Sequence, residues 1–247
     1  MPDTVIVVLA GIGTALATGL GAVPVFFLGK RATALTPFLL GVAVGVMGVA
    51  SIAGLLIPAA EEGSAPALAA GLVTGGLMVA VVKRRLTPKS VFMGRSGPAS
   101  RTSALVFFVL FVHSFPEGLA IGTAFASDRA GLSLFVILAI ALQNIPEGTS
   151  IAIPMAVAGF GRSRQFWGAV ATSAPQPAGA LFAFLLVEQV QGLLPFSFAF
   201  AAGAMLTLIV IEMLPKAYAR PAKPLGPSVG IALGAIVMLG LSLLLGV

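Results

Sequence analysis

"HSFPEGLAIG" occupies residues 113–122, and thirty positions later the chain nearly repeats itself as "QNIPEGTSIA", residues 143–152. Each copy places a glutamate, Glu117 or Glu147, between a proline and a glycine, inside an apolar run long enough to cross a bilayer. A carboxylate in that setting is costly to bury and needs a partner. The fold and the function both turn on what that partner is.

The surroundings fix the class first. Of the 247 residues 58% are hydrophobic and 9% charged, and mean hydropathy is +1.09. An ordinary soluble domain is about a quarter charged. Roughly 20 apolar residues span a membrane, and eight such runs fit the chain: 4–28, 33–58, 65–82, 103–126, 131–158, 164–187, 194–215 and 226–246. The expected fold is an all-α polytopic membrane protein, residues 1–247 forming a single transmembrane domain of eight helices.

Charge tests that count. With eight spans, the connections after helices one, three, five and seven share one side. They carry Lys30, Arg31, Lys83, Arg84, Arg85, Lys89, Arg95, Arg101, Arg162, Arg164, Lys216, Arg220 and Lys223, leaving Arg129 alone opposite. Basic residues collect in short cytoplasmic loops, so both termini are expected to be extracytoplasmic. Asp3, Glu61, Glu62, Asp128 and Glu188 fall on the outer side, which leaves Glu117, Glu147 and Glu212 within spans. The net charge of +6 therefore reports topology, and no basic, aromatic-interleaved patch points to nucleic acid. Without cysteine there is neither a disulfide framework nor a thiolate metal site. The start, "MPDTVIVVLAGIG", has an acid where a signal peptide has basic residues, and it reads as helix one. The polar connection at 83–102, rich in Pro, Gly, Ser and cations, is expected to be a mobile cytoplasmic loop that fixes topology.

No Lys or Arg lies near Glu117 or Glu147 in the sequence, so each acid is either protonated or faces a bound cation. His113 and Glu117 are four apart on one helix face, as are Gln143 and Glu147 on the next. Pro116 and Pro146 cannot donate to the carbonyls of Val112 and Leu142, so a kink with a freed oxygen is expected in each helix. Gly118 and Gly148 are expected to loosen the same turns. Irregular backbone in a membrane marks cavities and ion sites. One imidazole, two carboxylates and an amide oxygen suit zinc or ferrous iron better than calcium or magnesium. Two glutamates also balance a +2 ion.

With these residues in view, the chain resembles the ZIP family of metal-ion transporters, in particular its short bacterial GufA-type branch. The resemblance runs through "TGLGAVPVFFLGK", "GVMGVASIAGLLIPA", both P-E-G stretches and "AAGAMLTLIVIEMLP". It implies inverted three-helix repeats around helices four and five, and movement of zinc or related divalent ions into the cytoplasm by an alternating-access or elevator-like motion. It also implies a metal set of Met47, His113, Glu117, Gln143 and Glu147, in which the Met47 thioether favours zinc and cadmium over magnesium. Many relatives carry acids or other ligands of a second metal where this chain has Ser114, Asn144 and Gln176. A second +2 ion would then share two carboxylates with the first, and the uncompensated charge is expensive in a low dielectric. One strong site is expected, with Ser114, Asn144, Gln176 and Glu212 as polar lining or a weak second site. Glu212 reads either as an exit ligand or as an ion pair with Lys216, and Glu61 and Glu62 as entrance or loop acids.

The expected function is a transporter of zinc, with Fe2+, Mn2+ and Cd2+ as further substrates, in the plasma (inner) membrane. Its partners are the metal ions and the bilayer; a homodimer is left open, and no cofactor is expected. Two other classes compete. A metal sensor or non-transporting scaffold would bind without flux. An intramembrane metalloenzyme lacks H-E-x-x-H and has one histidine for a catalytic ion.

Overall fold

The computed structural model of the chain describes residues 2–85, 91–219 and 225–247; Lys89, Arg220 and Lys223 lie outside the described residues. Among the described residues eight helices are long and apolar enough to cross a membrane: α1 Asp3–Leu28, α2 Arg31–Glu62, α3 Ala65–Arg85, α4 Pro98–Phe125, α5 Leu132–Val157, α6 Arg162–Gln189, α7 Gln191–Tyr218 and α8 Gly226–Leu245. The chain is a polytopic membrane protein. α4 begins in the stretch assigned to the polar loop, because Pro98 and the following "ASRTS" make a good first helical turn.

The helices pack as a two-fold arrangement. α3 lies on α7 and α8 on α2; α4 lies on α6 and α5 on α1; α4 also meets α7 as α5 meets α2. Exchanging α1 with α6, α2 with α7, α3 with α8 and α4 with α5 maps every one of these pairs onto another. Such a pattern is what inverted repeats produce. The outer members α3 and α8 turn apolar side chains outward, among them Val73, Leu77, Val81, Leu233 and Ile236. Water would reject such faces, and lipid tails accept them.

Irregular backbone occurs elsewhere than at the expected prolines. The α-helical backbone runs unbroken through Pro116 and Pro146. π-helical turns occupy Ala50–Leu56 of α2 and Ile209–Met213 of α7, which are exchange partners. α6 is interrupted at Ser173 and Ala174, between Arg162–Thr172 and Pro175–Gln189.

The P-E-G glycines are points of close approach, not loose turns. A Cβ on Gly118 would lie 2.3 Å from the carbonyl oxygen of Gln176 on α6, and one on Gly148 would lie 1.7 Å from that of Thr18 on α1. Each glycine thus lets its helix touch a neighbour's backbone. The connection between α3 and α4 is also ordered where it is described. Val91–Phe92 and Arg95–Ser96 pair as a two-stranded hairpin, and Phe92 is buried against Phe107 of α4 and Phe160. Arg95 donates to the carbonyl of Ala158 at 2.9 Å and lies over the Phe160 ring. An aromatic anchor with so many contacts replaces the expected mobile loop at these residues.

Candidate metal centre

α4 and α5 run antiparallel and in contact, so the two P-E-G turns meet at one depth. His113, Glu117, Gln143 and Glu147 are all buried, each at most 2% exposed. Their placement follows from the helix period: residues four apart share a face, and that face is turned inward because Gly118 and Gly148 seat the opposite sides on α6 and α1.

The side chains converge and leave several polar atoms unsatisfied. His113 Nε2 lies 3.5 Å from Glu117 Oε1 and 3.6 Å from Glu147 Oε1. One ligand atom from each of His113, Glu117 and Glu147 falls within 4.8 Å of the others. Both imidazole nitrogens, Glu147 Oε1 and Gln143 Oε1 have no hydrogen-bond partner although buried. Buried polar atoms are nearly always paired, so four orphans in one cluster call for an explanation. A tetrahedron with metal–ligand bonds of about 2.1 Å has edges of about 3.4 Å. The two imidazole–carboxylate separations are close to that edge.

Glu117 is the best-held member. Its Oε1 accepts from Gln143 Nε2, and its Oε2 accepts from Gln176 Nε2 at 2.7 Å. Gln176 and Asn144 exchange amide contacts, and both reach Thr14 of α1. Ser114 stands apart from this group and returns its hydroxyl to the Leu110 carbonyl of its own helix at 2.9 Å. Met47 is fully buried in the main apolar core. It is as many positions from Glu62 as Glu147 is from Leu132, so the antiparallel packing of α2 on α5 sets the two at similar depth.

A cavity of about 290 Å3 starts at His113 and Glu147 and is walled by Leu110, Ser150, Thr36 and Thr102, with Glu212 and Lys216 at its side. A second of similar volume shares Thr36, Thr102 and Ser150 with it and continues to Thr33 and Pro154. Both open toward the end of the bundle where α2 and α4 begin and α7 finishes, next to Arg31, Arg101 and Lys216. Glu212 borders the path as an ion pair: Lys216 Nζ is at 2.6 Å and Lys83 Nζ at 3.9 Å. Lys83 also donates to the Ile211 carbonyl at 2.5 Å, an oxygen on the π-helical turn of α7.

At the opposite end Arg129, in the α4–α5 connection, donates to Glu62 at 2.5 Å and Glu61 at 2.6 Å at the end of α2. These hydrogen bonds from Glu62 and Glu61 raise the guanidinium above its already high ordinary value. Glu61 and Glu62 are therefore partly exposed acids paired with Arg129. Between this clamp and the cluster, Phe135 and Val136 of α5 close onto Gly54 of α2.

Sequence reasoning overlooked Thr14 and Thr18, and read Lys83 for topology without its pairing to Glu212. Thr14 and Thr18 sit four apart in the small-residue run of α1, and Thr18 Oγ1 meets Ser173 Oγ at 2.6 Å across the break in α6. A two-threonine stripe in an otherwise apolar helix was the available signal.

A family profile described as ZIP Zinc transporter matches residues 93–242. The chain is 34% identical over 242 residues to the zinc transporter GufA of Myxococcus xanthus, covering 93% of this chain and 95% of that one. It is 32% identical over 258 residues to the zinc transporter ZIPB of Bordetella bronchiseptica, covering 97% and 81%. A longer Arabidopsis thaliana relative is 34% identical over 215 residues; 86% of this chain is covered, and the chain spans 34% of that protein.

Proposed function

The chain belongs to the ZIP family of zinc transporters, and from that membership we propose that it carries a divalent metal ion into the cytoplasm through the buried His113, Glu117, Gln143 and Glu147 cluster. Zinc is the first substrate, with Fe2+, Mn2+ and Cd2+ as others of matching ligand preference. The observation that carries the reading is the convergence of unpartnered His113 and Glu147 atoms at the head of a cavity, with the unpartnered Gln143 oxygen one helical turn from Glu147.

The ion exchanges its water for imidazole nitrogen, carboxylate oxygen and the Gln143 amide oxygen, and the two glutamates offset its charge. Met47 supplies a fifth, soft ligand from α2. Release follows the path lined by Ser150, Thr36 and Thr102, where Glu212 offers a carboxylate already shared with two lysines. The basic ends of the helices at the cavity mouth support a cytoplasmic assignment for that side, hence extracytoplasmic termini and uptake. A plasma (inner) membrane location accords with that direction. The apolar faces of α3 and α8 meet lipid; whether a second copy also pairs there is read from the mass of the protein in nanodiscs.

The test is metal uptake into proteoliposomes. Flux should be lost with Glu117→Ala and Glu147→Ala combined, and zinc flux left intact by that double variant would refute the site. Saturable binding without flux in the unmodified protein would favour a sensor.

A further inference from the structure

We infer that Asn144 and Gln176, oriented by Thr14, form an amide clamp that occupies the second cation position beside Glu117, so that the protein takes up one divalent ion at a time. The inference rests on the transport-site reading above and concerns the other side of the same glutamate.

The clamp is dry. Gln176 and Asn144 are fully buried and Thr14 is 1% exposed. Its polarity is set by one atom that can only accept: the backbone carbonyl of Thr14 receives Asn144 Nδ2 at 2.7 Å, so the nitrogen end of the Asn144 amide must face α1. The same Nδ2 donates to Gln176 Oε1 at 3.2 Å, and the Thr14 hydroxyl divides its one hydrogen between that oxygen at 2.8 Å and the Gly11 carbonyl at 3.0 Å. The Asn144 N–H on Oε1 fixes the Gln176 amide in turn. Its nitrogen end then faces α4, where Nε2 gives one hydrogen to Glu117 Oε2 at 2.7 Å and approaches Asn144 Oδ1 at 3.4 Å.

Glu117 is therefore offered an N–H where a second cation would need a lone pair. Seating a cation there requires Gln176 to turn over. Its oxygen would then face the Glu117 carboxylate oxygen, and its NH2 would face Asn144 Nδ2, setting buried N–H against N–H. The two oxygens of Glu117 divide their tasks. Oε1 accepts from Gln143 and lies 3.5 Å from His113, on the side of the transported ion, whereas Oε2 is held by the clamp. Gln176 is thus a positioning residue acting through Glu117, at a place where its neutral amide does what a positive ion would otherwise do. The break in α6 makes this reach feasible: Gln176 lies in the first turn after Ser173 and Ala174, and Thr18 pins Ser173.

The experiment counts zinc per chain, on full-length protein in nanodiscs, by equilibrium dialysis and elemental analysis. The unmodified protein should hold one ion. Gln176→Glu replaces the N–H by a carboxylate facing Glu117, and Asn144→Asp sets a carboxylate against Gln176 and so favours the turned-over amide; either should raise the count to two. Gln176→Leu should keep one ion with affinity lowered about 10- to 100-fold, as loss of an orienting partner does. A merely structural role for Gln176 would not raise the count. Two ions in the unmodified protein, or one ion in both acidic variants, overturns the clamp. No zinc in the unmodified protein, or one ion kept after His113→Ala with Glu147→Ala, overturns the transport-site reading beneath it.

Discussion

His113 and Gln143 hold equivalent positions, four residues before a glutamate on exchange-related helices, yet they differ in what they can do. His113 offers two buried, unpartnered nitrogens, whereas Gln143 spends its Nε2 on Glu117 and keeps only Oε1 open. Metal and proton compete for the imidazole and for the carboxylates, but not for an amide oxygen. Apparent zinc affinity should therefore fall as pH is lowered from about 8 to about 6, since each ligand must lose its proton before it binds. In His113→Gln the affinity should be lower throughout and its pH dependence shallower, one competing proton having been removed. Zinc competition titrations at each pH check this; an unchanged slope would take His113 out of the ligand set. Met47 lends itself to a separate comparison. Met47→Leu retains a buried apolar side chain but removes sulfur, so cadmium uptake should suffer more than manganese uptake. Equal losses for both metals would return Met47 to the role of a core filler.

At the scale of helices, the P-E-G motif divides its labour. The glutamate faces the cluster, and the glycine on the next position lets α4 and α5 lie against the backbones of α6 and α1. Gly148→Ala would push a methyl group into the Thr18 carbonyl and force the two helices apart, at a cost of about 1–3 kcal/mol. Gly13→Ala, in the same α1 but with open space around the added carbon, should be nearly silent. Thermal unfolding in detergent measures both, and a Gly148→Ala melting temperature equal to that of Gly13→Ala would contradict the close approach. These contacts also explain what the sequence could convey. Hydropathy and the sorting of Lys and Arg disclose eight spans because both depend on residues near in sequence. The pairing of His113 with Glu117 follows from helix period alone. The partner of a glycine, the docking of Phe92 and the π-turns of α2 and α7 depend on what another helix presents, and no local pattern encodes that. The polarity of the Asn144–Gln176 pair depends on a carbonyl in α1, which is invisible in a list of side chains.

For the molecule as a whole, the polar groups fall into two sets. α1, α4, α5 and α6 carry the cluster and the amides behind it, while α2 and α7 bring Met47 and Glu212 from the other half of the bundle. Access from the far side requires the two halves to separate where the Arg129 clamp joins the α4–α5 connection to the end of α2. Its two ion pairs are partly exposed, so together they contribute about 1 kcal/mol, not more. Breaking them with Arg129→Gln should raise the outward-accessible population about fivefold. The absence of cysteine permits a clean measurement. Ala139→Cys places a thiol at a buried position one turn from Gln143, between clamp and cluster. A membrane-impermeant maleimide added outside should label it about fivefold faster when Arg129→Gln is also present, by the same conversion. High salt should narrow the difference, because screening weakens exposed pairs in the intact clamp and has nothing to weaken in the variant. Labelling rates that ignore both the substitution and the salt would mean that the clamp does not oppose outward opening, and that the apolar seal of Phe135 and Val136 on Gly54 holds that side closed on its own.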